Sequence, residues 1–433
     1  MISRYVWHLR ETLKQVWVRV LGFALLALLA VGLARLLSPL LPETLAIQTG
    51  SGAVTQLLGI LTSSMLAVTT FSLSIAVSAF AGAASEATPR ATVLLQQDRT
   101  TQNVLATFLG AFVFGLVGLV ALHAQLFDST GKVVVFIFTV AVIGLVVAAL
   151  IGWIGHLMQF GRMGDTLDRV EAAASDALSW RLEHPYLGGV PGFQEPACTG
   201  PPLLCTETGY IQHIDMMALQ TCAKAVGLRV FVRRGPGAFV APGVPLAHLE
   251  GAPVDDDAAA ALRRAFTVGT RRTFEEDPRF GFVVMTEIAT RALSPAVNDP
   301  GTAIDILGRH VRMLSLWRDR ADVEAAFDRI IVPAIAPVEV VEDAFRPIAR
   351  DGASLFEVQI RLQKALAALR QTAPGIFAAP CASMAAEALH RAEAAGLLPE
   401  ELRLIRGAAQ LQAGEAAGGS AHSSSRDTAP TGI

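Results

Sequence analysis

The chain has 433 residues, of which 52% are hydrophobic and 17% are charged, and its formal net charge is -3. Soluble domains carry about 25% charged residues, so the composition excludes an ordinary soluble protein as a description of the whole chain. The pI near 6.3 argues against nucleic acid as a partner, because nucleic-acid-binding domains are usually basic.

The missing charge is concentrated in the N-terminal part of the chain. No Asp, Glu, Lys or Arg occurs in residues 44–85, 100–127 or 133–161. A membrane-spanning helix needs about 20 apolar residues, and each of these stretches exceeds that length. Together with the apolar run that follows Lys14, they predict a transmembrane domain over residues 1–160 with four spans: Val16–Leu41, Val54–Ala84, Val104–Phe127 and Val133–Met158.

The basic residues of the flanking segments predict the orientation. Three of them precede span 1 and a fourth, Arg19, lies in its first turn; two lie between spans 2 and 3, and three soon follow span 4, whereas the other two loops contain only Lys132. Because loops rich in Lys and Arg stay on the cytoplasmic side, both termini are expected inside. With several spans following the first apolar run, we expect a multi-pass protein of the bacterial inner membrane rather than a cleaved signal peptide.

Span 2 carries an uncharged polar stripe. Small or polar residues fall within about 100° of one helix face. The members that would line a path are Gln56, Ser63, Thr70, Ser74 and Ser78. One interpretation is helix packing, because small residues let membrane helices approach closely. The other is a hydroxyl-lined path for water or a small ion, repeated around an oligomer axis.

Spans 3 and 4 carry further patterns. Span 3 contains three glycines, Gly110, Gly115 and Gly118, which are interpreted as packing contacts. Span 4 is predicted to continue as a helical linker over residues 161–184, with an apolar seam at three- and four-residue steps. The seam consists of Phe160, Met163, Leu167, Val170, Ala174 and Ala177. It either holds protomers together or packs on the cytoplasmic domain.

A small β-rich cytoplasmic module is predicted over residues 199–255. Its strand and turn pattern resembles half of a lipoyl-like barrel, but no Lys lies at a hairpin tip, so no covalently attached cofactor is expected. The four cysteines show no C-x-x-C spacing and no clustering with histidines, so no metal site is expected either.

Residues 256–413 predict a mostly helical cytoplasmic domain, and the Gly-, Ala- and Ser-rich residues 414–433 predict a disordered tail. Within the helical domain, one helix should stop at Ser294 before Pro295. A second helix should begin with Asp299 as its N-cap and Pro300 at its first position. One interpretation is a stiff joint between two helices. The other is a polar pocket or subunit contact, formed by Arg271, Asp277, Arg291, Asn298 and Asp299.

Several runs resemble the predicted-membrane-protein family called domain of unknown function 2254. They are residues 64–74 (SMLAVTTFSLS), 88–90 (TPR), 209–215 (GYIQHID) and, above all, 291–303 (RALSPAVNDPGTA). The resemblance covers about residues 10–370 and implies N-terminal spans with a cytoplasmic C-terminal region, but no activity. The family often has a His pair where this chain has Gly155 and His156, and a Gln where it has Glu276.

The leading hypothesis is therefore an oligomeric, channel-like or transport protein, with span 2 lining the path and a cytoplasmic domain that regulates it. The alternative is a membrane-anchored sensor or scaffold, in which the spans only anchor and assemble. The expected partners are the bilayer, further copies of the chain, and a small ion or small-molecule effector. No nucleophile–base pair or cofactor motif is present in the sequence, so an enzyme is not expected.

Overall fold

A computed structural model describes residues 16–37, 51–96, 98–126, 130–158, 160–192, 200–318 and 324–418. The chain divides between Thr166 and Leu167 into two compact units. The first is a bundle of apolar helices, and the second is an α+β unit with small sheets and C-terminal helices. The predicted fold class is confirmed.

Four helices of the bundle are long and apolar enough to cross a membrane. The bundle helices are α1 (Val16–Leu37), α2 (Ser51–Glu86), the short α3 (Thr92–Gln96), α4 (Arg99–His123) and α5 (Gly131–Leu157). Helix α2 extends beyond both predicted ends of span 2. Helix α4 begins before Val104 because the Asp98 carboxylate caps it, accepting a hydrogen bond from Thr101 N at 2.6 Å. Residues 38–41 and 127, at the predicted ends of spans 1 and 3, lie outside the described residues.

Helix α4 lies at the centre of the bundle and packs against α1, α2 and α5. Its glycines face its neighbours. A Cβ at Gly110 would overlap the ring of Phe23, and one at Gly118 would lie 3.1 Å from Leu58. Gly115 faces Thr62 in the same way. The interpretation of the span 3 glycines as packing contacts is confirmed, because at each of them a side chain of a neighbouring helix occupies the space next to the missing Cβ.

Span 4 does not continue as one helix. Helix α5 ends at Leu157 and α6 (Met163–Glu183) begins after five intervening residues. Gly161 between them has φ +78°, in the left-handed region that favours glycine, and it lies directly against Ala79 of α2. The predicted continuous linker over 161–184 is therefore interrupted at its first residues, because this turn redirects the backbone.

The predicted apolar seam is divided by that turn. Phe160 packs with Ala83 and Leu95 in the bundle. The four seam residues on α6 are buried in the α+β unit: Leu167, Val170, Ala174 and Ala177. Ala174 faces Gly281, where any Cβ would overlap it. In the structure, the seam residues of α6 therefore pack on the domain of their own chain, which is the second of the two interpretations.

The α+β unit has two sheets that share one core. The strands are β1 (Gly189–Gly192), β2 (Pro202–Leu204), β3 (Gly209–Ile214), β4 (Leu228–Val232), β5 (Phe239–Val240), β6 (Pro245–Gly251), β7 (Phe266–Gly269) and β8 (Phe327–Pro333). One sheet has the order β1-β8-β4-β6-β2 and the other β5-β3-β7. Strands β1, β8 and β4 are mutually parallel. Strands β1, β7 and β8 lie outside the range 199–255 that the sequence assigns to the module.

Two helices connect these strands, α7 (Met216–Val226) and α8 (Asp256–Arg264), and both contribute to the shared core. The described residues of the unit form six further helices: α9 (Pro278–Ala292), α10 (Pro300–Leu314), α11 (Pro337–Asp351), α12 (Phe356–Thr372), α13 (Pro374–Ala394) and α14 (Pro399–Gly418). Helix α14 runs past Gly414, where the sequence places the start of the tail, and residues 419–433 lie outside the described residues.

Candidate functional site

The polar stripe of α2 lies on the surface of the single chain. Its five path-lining candidates, Gln56, Ser63, Thr70, Ser74 and Ser78, are all exposed. In the apolar 18-residue window of each span, 22% of the residues are buried for the span Gly52–Ser85, compared with 50% for the span that contains α4. The stripe therefore does not pack against the other helices of its own chain.

The packed face of α2 is on the opposite side of the helix. Leu58, Met65, Ser72 and Ala76 are buried. At 100° per residue, Ala76 lies 200° from Ser74, about half a turn away from the stripe. Helix α2 thus packs within its own chain through residues outside the stripe. The stripe faces the surroundings of the bundle, so packing within one chain does not explain it.

The hydroxyl groups of the stripe donate to their own helix. Ser63 Oγ donates to Gly59 O at 2.9 Å, Thr70 Oγ1 to Leu66 O at 3.0 Å, and Ser74 Oγ to Thr70 O at 3.0 Å. A hydroxyl that donates its proton still has oxygen lone pairs for accepting hydrogen bonds or binding a cation. These three hydroxyl groups consequently present acceptors rather than donors.

A second polar group lies at the end of the bundle where α3 and α4 meet. Asp98 Oδ2 lies 3.0 Å from His156 Nε2, and it also accepts a hydrogen bond from Thr101 Oγ1 at 2.6 Å. The His156 ring contacts Phe160, whose ring in turn contacts Phe80 of α2. The structure thus connects this acid–histidine pair to α2 through two aromatic side chains.

Asp277 is a buried structural carboxylate. It caps α9 by accepting from Arg279 N and Phe280 N, and it also accepts from Arg272 Nε at 2.6 Å and Nη2 at 3.0 Å. Burial raises the pKa of this carboxyl group, while the bonds from Arg272 lower it. Gly237, with φ +90°, lies against this carboxylate, where a side chain would not fit.

The other candidates from the same region lie elsewhere. Arg291, Asn298 and Asp299 are exposed at the far end of α9, about 21 Å along the helix from Asp277 at 1.5 Å per residue. Arg271 is exposed near the Asp277 end, and its carbonyl oxygen accepts from Gln212 Nε2 at 2.8 Å. The structure does not gather the five residues into one pocket.

The predicted helix joint has the geometry that its sequence indicates. Helix α9 ends at Ala292, and Asp299 caps α10 by accepting from Thr302 N at 3.1 Å. Asn298 has φ +50°, a conformation that Asn adopts more readily than most residues. Asp299 N donates to Ala292 O at 2.8 Å and closes the turn. These contacts account for the motif as a stiff joint.

Sequence reasoning missed three features of the α+β unit, because each depends on residues far apart in the chain. His213 Nδ1 lies 2.5 Å from Glu276 Oε1, and this bond raises the pKa of His213. His310 is completely buried between the rings of Phe282 and Phe345. Arg181 is also buried, and its Nη2 donates to Pro333 O at 3.2 Å. The one local signal was an Arg in the otherwise apolar register of α6.

Across the described ranges, no three His, Cys, Asp or Glu side chains are grouped in a way that could hold a metal ion. Cys205, Cys222 and Cys381 are free thiols, while Cys198 lies outside those ranges. Burial raises the pKa of Cys381 to about 12, which keeps this thiol protonated and unreactive.

Comparison with known proteins gives relatives without an assigned activity. The chain is 30% identical over 247 residues to uncharacterized proteins of Mycobacterium tuberculosis (strain H37Rv) and Mycobacterium bovis. The match covers 52% of this chain and 45% of each relative, so the chain spans less than half the length of these relatives. No solved structure matches.

A family model described as "Predicted membrane protein (DUF2254)" matches residues 14–368. This range includes the four apolar helices, both sheets and the joint between α9 and α10, which agrees with the resemblance of the sequence motifs. The chain belongs to the DUF2254 family of predicted membrane proteins.

Proposed function

We propose that this protein forms an oligomeric, channel-like path through the membrane, lined by the polar stripe of α2. The observation that carries the proposal is the exposure of Gln56, Ser63, Thr70, Ser74 and Ser78 on the face of α2 that points away from its own bundle. In a single chain this face would meet lipid, where the Gln56 side-chain amide finds few partners.

Other copies of the chain are the simplest partner for this face. Small residues and hydroxyl groups are typical of interfaces between membrane helices. A ring of copies with cyclic symmetry would bring several α2 helices around one axis, with Ser74 and Ser78 repeated at each level. Large apolar residues that flank the stripe, such as Phe71 and Leu73, would contact lipid or the neighbouring copy.

The chemistry of the stripe favours water or a small cation as the transported species. The hydroxyl protons of Ser63, Thr70 and Ser74 are used within the helix, so their oxygens face outward as acceptors. Oxygen ligands of this kind replace part of the hydration shell of a cation. The stripe includes no basic side chain that would attract an anion.

The regulatory role belongs to the α+β unit in this proposal. The distribution of the basic residues supports a cytoplasmic position for both termini, and with them for this unit, and supports the inner membrane of a bacterium as the location of the bundle. The unit would respond to an effector and change the arrangement of the spans.

The test is flux through the purified protein in liposomes. We expect cation or water flux from the wild type, and a loss of at least tenfold in Ser74→Leu and Ser78→Leu, because leucine removes the oxygen and narrows the path. Ser64→Leu is the matched control, since Ser64 lies about 100° from Ser63 and outside the stripe. Absence of flux in the wild type, or equal loss in the control, would sink the idea.

Crosslinking tests the arrangement of α2 separately. In a background without native cysteines, Ser74→Cys and Ser78→Cys should crosslink between copies, because symmetry brings equivalent stripe positions together. Leu73→Cys, which is exposed but about 100° from Ser74, should crosslink much less. Equal crosslinking at both positions would mean that α2 does not present the stripe to its neighbours.

The alternative is a membrane-anchored sensor, whose spans only hold it in place. This alternative is supported by the independence of the α+β unit, which has its own core from β1 to β8. A sensor would give no flux, and its stripe variants would still respond to an effector.

A further inference from the structure

Arg181 differs from the other arginines in the interior of the α+β unit. It is only 6% exposed, and its Nη1 is buried without a hydrogen-bond partner. The described residues place no carboxylate within ion-pair distance of it, and its one hydrogen bond, to Pro333 O, is to an uncharged acceptor. A buried guanidinium group is normally neutralised and fully hydrogen-bonded, so this one lacks a counter-charge.

Other partly buried arginines of the unit show what Arg181 lacks. Arg272 is paired with Asp277, and Arg309 with Asp168, Glu171 and Asp305. Arg279 forms ion pairs with Asp343 and Glu339. Each of these arginines meets at least one carboxylate.

Burial lowers the pKa of Arg181. Desolvation lowers its pKa to about 10, partly offset by the charge of Glu276. The group therefore remains a cation at neutral pH. Glu276 lies beyond ion-pair distance of Arg181, and its carboxylate is already bonded to His213. The positive charge of Arg181 is thus retained in the interior, and the nearest carboxylate that acts on it, that of Glu276, is not in direct contact with it.

Arg181 lies at an edge of the sheet that is suited to ligands. Its acceptor Pro333 is the last residue of β8, between the parallel strands β1 and β4. Ligands of parallel sheets bind outside the carboxyl ends of the strands. Gly192, the last residue of β1, is paired with Pro333 at this same edge.

Two further arginines follow β4 at this edge. Strand β4 is paired in parallel with β8 and ends at Val232, so Arg233 and Arg234 follow its carboxyl end. The backbone N–H groups of Arg233 and Arg234 both donate to Leu246 O, at 2.8 and 3.3 Å. The edge therefore combines one buried guanidinium group with two basic residues in consecutive positions.

We propose that the carboxyl edge of β1, β8 and β4 binds a phosphate-type oxyanion, with Arg181 as its buried charged ligand. A guanidinium group presents paired N–H donors that match phosphate oxygens, and the unpartnered Nη1 supplies such donors here. Arg181 follows the end of α5 by 24 residues. Arg181 and Pro333 both belong to the α+β unit rather than to the apolar bundle, so we assign a soluble phosphate compound, and not a lipid headgroup, as the occupant.

The test uses the purified full-length chain in detergent, freed of phosphate by dialysis. Inorganic phosphate is added against chloride at equal ionic strength, and the unfolding midpoint of the α+β unit is followed by calorimetry. We expect the midpoint to rise by about 5 °C when phosphate is a hundredfold above its Kd. No rise in the wild type overturns the proposal.

Variants separate an anion ligand from a structural arginine. In Arg181→Gln the phosphate-dependent rise should disappear, while the midpoint without phosphate should stay equal or increase, because an uncompensated charge has been removed. If Arg181 is held only for its bond to Pro333, Arg181→Gln lowers the midpoint equally with and without phosphate, and the proposal fails. Arg181→Lys should weaken phosphate binding about tenfold, since lysine keeps the charge but lacks the paired N–H donors of the guanidinium group.

Arg279→Gln is the matched control. It removes an arginine that is already paired with carboxylates, so it should lower the midpoint and keep the full phosphate-dependent rise. In a second arm, micelles containing phosphatidylglycerol replace free phosphate. Stabilisation by the lipid alone would overturn the assignment to a soluble anion. None of these measurements depends on flux, so the site can be confirmed or rejected independently of the channel proposal.

Discussion

In the membrane bundle the polar side chains of α2 lie on the outer surface, whereas in the α+β unit charged and polar side chains lie between the helices. Asp277 and Arg309 are buried and paired in the α+β unit. Ser63 and Ser74 are exposed in the bundle, and they use their hydroxyl protons within their own helix.

This difference indicates which part of the molecule is complete as a single chain. The α+β unit satisfies most of its buried charges with its own residues, and it has its own core. The bundle buries apolar residues and glycines at its centre around α4, but leaves its most polar face outside. Changes inside either unit should therefore affect folding, and changes on the stripe should affect only assembly and transport.

The largest effect is expected from Asp277→Ala in the interior of the α+β unit. The substitution leaves Arg272 without its carboxylate partner and α9 without its cap, so unfolding free energy should fall by about 3–5 kcal/mol. Asp299→Ala is the matched control, since Asp299 also precedes a proline and caps a helix, but is exposed. It should lose only about 1 kcal/mol in the same urea titration. Equal losses would contradict a special role for the buried carboxylate.

A smaller effect is expected from Gly110→Ala at the centre of the bundle. The new methyl group overlaps the Phe23 ring, which must turn away, so the bundle should lose about 1–3 kcal/mol. Gly59→Ala is the control, because the structure has open space at that position of α2. Detergent-solubilised protein is followed by thermal unfolding. If both variants unfold at the same temperature, α4 is not the tightly packed centre.

Acid should destabilise the α+β unit through His310. Burial lowers the pKa of His310 to about 3, below the ordinary 6.5, so the unfolded chain binds more protons between these pH values. The contribution of His310 to the free energy of unfolding is fully present above pH 6.5. Below that pH it should fall by about 1.4 kcal/mol for each pH unit. Unfolding measured from pH 7 to 5 tests this slope.

Substitution isolates that contribution from those of other titrating groups. His310→Leu should flatten the pH dependence, because the replacement stays neutral between Phe282 and Phe345. His390→Leu, at an exposed position, should leave the slope of the wild type. An unchanged slope in His310→Leu would show that this histidine does not titrate on unfolding.

The smallest effect on folding is expected from Ser74→Leu on the stripe. Replacing an exposed side chain whose hydrogen bond stays within its own helix should change the unfolding free energy by less than about 0.5 kcal/mol. The same variant should shift the oligomer toward smaller species in light scattering. If it instead unfolds the bundle, the stripe is part of the fold and the contrast between the two units disappears.

Much of the architecture could be predicted from local patterns. Three charge-free stretches and the apolar run after Lys14 locate the four apolar helices, because a membrane core excludes charge regardless of the rest of the fold. Asp299 and Pro300 fix the start of α10 by interactions within one helical turn. The break between α5 and α6 at Gly161 was not predicted, because a glycine can occur in a helix as well as in a left-handed turn. Here Gly161 adopts the left-handed conformation next to Ala79.

The candidate sites were less predictable. Asp277 and Arg291 lie at opposite ends of one 15-residue helix, so proximity in sequence did not bring them together in space. The pair Asp98–His156 joins residues 58 positions apart, and Arg181 and Pro333 are 152 apart. Neither contact leaves a periodic signal in the sequence.

The sequence by itself determined the membrane-spanning helices, the helix caps and the polar stripe of α2, because these depend on hydrophobicity and on contacts within a few residues. Only the tertiary structure decided that the stripe faces away from the bundle, that the glycines of α4 form its centre, and that Arg181 is buried without a counter-charge. Those properties arise from the packing of helices and strands that are distant in the chain, and burial is a property of that packing.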